Sequence, residues 1–99
     1  MQQRIINNSL QVLGKQWIKA YPVPFTDNLN ILLKAPITGQ CSVRLIDMNG
    51  KTIEIKSTSI QQDNLYTISF SKAMAISKGV YNVQYLDGRN KVTLRVVKQ

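Results

Sequence analysis

Residues 79–98 read GVYNVQYLDGRNKVTLRVVK, and this stretch decides the fold class. Tyr81, Val83 and Tyr85 recur at every second position, and so do Val92, Leu94 and Val96. Successive side chains of an extended chain point to opposite faces, so each set lines one face of a strand. Between them Asp87, Gly88, Arg89 and Asn90 form a reversal, and a connection this short makes the two strands antiparallel neighbours.

The same period runs back to residue 28. Leu29, Ile31 and Leu33 form one row, and Cys41, Val43 and Leu45 the next. Ile53 and Ile55 alternate with Glu54 and Lys56, while Tyr66, Ile68 and Phe70 alternate with Thr67 and Ser69. Six rows imply six half-buried strands. Turn residues fill the gaps: Pro36 lacks the donor a central strand needs and Gly39 relaxes the backbone, Asn49-Gly50 is a hairpin signal, and Gln61 to Asn64 makes a further reversal.

Residues 71 to 79 interrupt the alternation. They read as one helical turn, capped by Ser71 and ended at Gly79, that carries the chain from one sheet to the other with Met74 and Ile76 plugging the core edge; the segment is too short for a helix of its own. Upstream, Ser9 to Leu13 and Gln16 to Tyr21 read as short strands flanking Gly14. Met1 to Asn8 is expected to be loosely ordered linker, and Trp17 or Ile18 to cover the open end of the core. The expectation is an all-β, small antiparallel two-layer β-sandwich of about seven strands, immunoglobulin-like in the broad sense but without the Cys-Trp-Cys signature of antibody domains.

A chain of 99 residues makes one small domain. Its lone cysteine, Cys41, allows no internal disulfide, and it alternates with Val43 and Leu45 on the inward face, which makes it a buried structural thiol. Histidine is absent, removing the commonest general base and metal ligand. No enzymatic role, cofactor or metal is expected; Asp47, Asn49 and Asp63 lack the clustered oxygen ligands that calcium needs and read as turn formers. Thirteen Lys and Arg against five Asp and Glu leave a formal charge of +8. The basic residues are spread without a run, which describes a solvated surface rather than a nucleic-acid footprint. No stretch approaches the length of a membrane span, and Ile5-Ile6 is followed at once by Asn7, Asn8 and Ser9, so no signal-peptide core is present. Trp17, Tyr21, Tyr66, Tyr81 and Tyr85 leave open an exposed aromatic platform, hence an alternative reading as an adhesion or carbohydrate-binding module.

Four landmarks in order, Tyr21-Pro22-Val23-Pro24-Phe25, Asp47-Met48-Asn49-Gly50-Lys51, Ser77-Lys78-Gly79-Val80-Tyr81 and the strand Val92 to Lys98, resemble the C-terminal sorting domain of proteins exported by the type IX secretion system of Bacteroidota. That family opens on a tyrosine with Pro-Asn-Pro, turns at Asp-x-x-Gly-Lys, begins a late strand with Gly-Val-Tyr and ends in a Val-Val-Lys-like run. The resemblance covers residues 21 to 99, and Val23 departs from the family's asparagine. It implies a small β-sandwich, residues 15–99, preceded by a linker or upstream-domain remnant, residues 1–14, at the tail of a longer precursor. It further implies a non-enzymatic secretion signal that directs attached cargo through the periplasm and across the outer membrane to the cell surface. The implied partners are an outer-membrane shuttle protein, the translocon and the sortase. The residues it marks for partner recognition are Gly50, Lys51, Gly79, Val80, Tyr81, Arg95, Val96, Val97 and Lys98.

Overall fold

The computed structural model describes residues 17–99. Seven strands run through them: β1 (Ile18–Tyr21), β2 (Asn30–Lys34), β3 (Gly39–Ile46), β4 (Thr52–Ile60), β5 (Leu65–Ser69), β6 (Gly79–Leu86) and β7 (Lys91–Lys98). One antiparallel sheet has the order β1-β2-β5 and the other β4-β3-β6-β7. The chain crosses between sheets after β2, after β4 and after β5. Lettered in chain order, the sheets are A-B-E and D-C-F-G, an immunoglobulin-like sandwich in which the fourth strand has joined the second sheet.

The inner rows meet in one core. Ile31 and Leu33 from the smaller sheet face Val43, Leu45, Val83, Tyr85 and Val96 from the larger, all fully enclosed. Phe25 and Leu29, from the segment between β1 and β2, join them. Ile18 is buried and Trp17 meets Tyr85 edge to face, ring centroids 5.0 Å apart, as expected of residues covering an open end. The two buried tyrosines satisfy their hydroxyls at the rim: Tyr81 donates to the Ser77 carbonyl and Tyr85 to the Asp87 carboxylate. Burial, then the bond to Asp87 and its charge, raise the Tyr85 phenol well above its ordinary pKa.

Three expectations need correction. In β4, Ile53 and Ile55 do not share the inner face. The register shifts between Leu45 and Ile46, so that Leu45 pairs with Glu54 but Ile46 with Thr52. An extra residue in one strand changes the phase of its side chains. Ile53 still packs against the core, whereas Ile55, opposite Arg44, is 53 % exposed. Residues 71–76 form successive turns and no helix. Their plug is the buried Ala73, with Ile76 partly buried and Met74 exposed. Finally, Gln61 to Asn64 joins strands of different sheets rather than antiparallel neighbours. That crossing is tied to the one after β2 by Asp63 N to Ala35 O at 2.8 Å and Ala35 N to Asn64 O at 2.9 Å. The expected strand Ser9 to Leu13 and the linker Met1 to Asn8 lie outside the described residues.

Candidate functional site

The hairpin of β6 and β7 brings together residues that are distant in sequence. Gly79 pairs with Lys98, Val80 with Val97, Tyr81 with Val96 and Asn82 with Arg95. The β3–β4 turn lies at the same end of the larger sheet, because Ile46, the last residue of β3, pairs with Asn82 near the start of β6. Gly50 and Lys51 therefore share one end of the sheet with the other seven marked residues. The turn is held by Asp47, whose Oδ1 accepts the Asn49 and Lys51 amides at 2.9 Å each. Gly50 takes φ +86°, a conformation that costs a side-chain-bearing residue about 1 kcal/mol or more.

Alternation divides the marked residues between two faces. Tyr81, Val96 and Lys98 turn inward, and Val80, Arg95 and Val97 face out. Lys98 is 7 % exposed. Its ammonium donates to the carbonyls of Thr26, Ala73 and Met74 and lies 5.6 Å from the centre of the Phe25 ring. Phe25 also bridges to the outer edge of β7, its amide donating to Val97 O and its carbonyl accepting from Gln99 N, both at 2.9 Å. The last turn of chain is thus latched to the segment that follows Pro22 and Pro24. Period two runs from Val92 through Leu94 and Val96 to position 98, so the inward direction of Lys98 was legible; the three carbonyls it reaches were not.

The 71–76 turn is clamped from both edges of the larger sheet. From β7, Lys98 holds its carbonyls. From β4, the Glu54 carboxylate accepts the Lys72 amide at 2.8 Å, the Ser71 hydroxyl at 3.0 Å and the Ser71 amide at 3.2 Å. Lys56 stands 3.5 Å away. Burial pushes the Glu54 carboxyl up, but these hydrogen bonds and then the Lys56 charge outweigh it, and the net pKa is lowered. A carboxyl whose folded pKa lies below its unfolded value of about 4.3 stabilises fully above that value, and the contribution is lost as pH falls through the folded pKa. Asp87, lowered despite burial by bonds from Tyr85, Arg89 and Asn90, acts in the same window. Glu54→Gln is therefore expected to cost about 1 kcal/mol at pH 7 through lost charge-assisted bonds, and to flatten the fall in melting temperature below about pH 4. An unchanged acid limb in thermal melts of the variant would contradict the clamp.

Most of the other chemistry-bearing groups pack within the fold. Cys41 is buried, and burial followed by the Asp87 charge raises its thiol pKa, which opposes thiolate formation. Tyr81 and Tyr85 are buried and Trp17 and Tyr66 half-buried against the core; Tyr21 is the one aromatic side chain exposed among the described residues. No aromatic row is therefore presented for stacking on a sugar. Among the described residues there is no group of three or more His, Cys, Asp or Glu placed to hold a metal, and no helix long and apolar enough to cross a membrane.

Residues 19–99 match the family model described as "Secretion system C-terminal sorting domain". No curated protein matches the chain.

Proposed function

The chain belongs to the family of type IX secretion C-terminal sorting domains, and from that membership we propose that it carries an attached cargo protein through the periplasm and across the outer membrane to the cell surface. The role is binding rather than catalysis. The family's partners, an outer-membrane shuttle protein, the translocon and the sortase, read a folded surface, and residues 15–99 are the unit they read.

The observation that carries this reading is the match of residues 19–99 to the family model, and the gathering of Gly50, Lys51, Gly79, Val80, Tyr81 and Arg95 to Lys98 at one end of the four-stranded sheet supports docking there. Three of them, Val80, Arg95 and Val97, face outward together on its edge hairpin, where a partner can dock without opening the core.

The test fuses the full chain behind a signal peptide and a reporter, in a host with the type IX system and in a matched host lacking it. The reporter is expected at the surface, accessible to added protease, in the first host alone. Periplasmic retention in both hosts overturns the reading. Truncation before Arg95 would be ambiguous, because Val96 and Lys98 belong to the core and its latch. Replacing the outward Arg95 and Val97 by Gln leaves both in place, and is expected to lower surface delivery with the melting temperature unchanged.

A further inference from the structure

The outer face of the larger sheet carries an aliphatic band edged by two arginines. Ile55 on β4, Ile46 on β3, Val80 on β6 and Val97 on β7 step diagonally across all four strands. Ile55 and Val97 are 53 % and 37 % exposed. Beside the band, Arg44 sits between Ile55 and Gln84, and Arg95 stands opposite Asn82.

Neither arginine has a carboxylate partner among the described residues, whose one ion pair is Lys56 with Glu54. The Arg44 Nε is enclosed and accepted by no protein atom. Asp47, Glu54 and Asp87 are already engaged by backbone amides. The face therefore offers guanidinium and aliphatic surface without an anion of its own. Residues 1–16 cannot supply one, since they contain Arg4 and Lys15 but neither Asp nor Glu. A second copy would bring another net +8 and a repulsive approach. A nucleic acid would match the arginines but leave the aliphatic band against phosphate and sugar.

We propose that this face docks a partner protein presenting carboxylates flanked by aliphatic side chains. Arg44, whose Nε is enclosed, receives one carboxylate on its two terminal nitrogens, and Arg95 a second. Their Cα atoms stand about 12 Å apart, two strand spacings across and one residue pair along. The flanking isoleucines and valines exclude water from the paired charges, which strengthens them. The inference rests on the export reading, because the partner is one met along that route.

The experiment places the photocrosslinker p-benzoylphenylalanine at Gln84, beside Arg44, in the exported fusion. Support requires one crosslinked protein whose attached peptide contains Asp or Glu. Its yield must fall at least about tenfold in Arg44→Gln and in Arg95→Gln, with unchanged melting temperature, and persist in Lys34→Gln, a charge change on the smaller sheet. If the fusion is exported but Gln84 captures nothing, a lipid, a polysaccharide, a nucleic acid or a second copy, the docking face is overturned and the sorting reading stands. Capture that survives both arginine changes overturns it equally. If the unaltered fusion is not exported, the sorting reading falls and this inference with it.

Discussion

Leu45→Asp is expected to abolish the folded state. Leu45 is fully enclosed, on the central strand β3 between Glu54 of β4 and Val83 of β6. Removing the leucine side chain costs about 2–5 kcal/mol, and an unpaired carboxylate in its place costs several more. The new charge also stands opposite Glu54, whose own carboxylate is committed to Ser71 and Lys72. A domain of this size has roughly 5–15 kcal/mol of stability to lose, so the sum removes most or all of it. The control is Ile55→Asp, on the outer face, expected within about 0.5–1 kcal/mol of the parent. Circular dichroism melts of the two variants read the register directly. Equal loss in both variants would place Ile55 in the inner layer with Leu45, as alternation alone assigns it, and a Leu45→Asp variant that melted like the parent would show the strand faces reversed.

That pair of variants also locates where pattern reading works and where it stops. Strands β2, β3, β5, β6 and β7 bury the rows that alternation picks out, because each presents one face to a single core and no residue is inserted. β4 departs because its bulge is a property of pairing with β3 rather than of its own residues. Turn residues likewise mark where the chain reverses but not which sheet it enters next. Gln61 to Asn64 looks like a hairpin locally, yet β5 finds its partner in β2, thirty-seven residues earlier by the pairing of Ile31 with Ile68, in a different sheet from β4.

The candidate site divides in the same way. Gly50 and Gly79 were legible as backbone positions, and both take positive φ. The gathering of the β3–β4 turn with the ends of β6 and β7 depends on β3 pairing with β6, a long-range choice that no local motif encodes. Glu54 went unnoticed for want of the bulge that turns it toward Ser71 and Lys72. Arg44 gave no signal at all, because a cation alternating with core residues reads as an ordinary solvated face until its neighbours across the sheet are known.

Lys98→Met is the more informative large change, because it keeps the length of the stem and removes the donors alone. The carbonyls of Thr26, Ala73 and Met74 would lose the ammonium they share. The Phe25 ring would lose its cation, a contact worth about 0.5–2 kcal/mol. Carbonyls left without a donor cost about 1–3 kcal/mol when fully buried, but two of these three bonds are only partly so, and water recovers some of the loss. The expected net destabilisation is about 2–4 kcal/mol, read as a fall in Tm of roughly 10–20 °C. Arg95→Met, on the same strand but facing out, is expected to change stability by no more than about 0.5 kcal/mol. Hydrogen exchange separates a local latch from general weakening. The amides of Phe25 and Gln99, which bond across the β7 edge, should lose protection in Lys98→Met before those of Val43 and Val83 at the sheet centre. A variant that melts like the parent, with both amides still protected, would mean that Phe25 alone holds the end of β7. If the latch behaves as expected, a partner that pairs with the end of β7 must first displace Phe25 and draw Lys98 away from its carbonyls, so the outward face of the hairpin is the surface available to it while the domain stays folded.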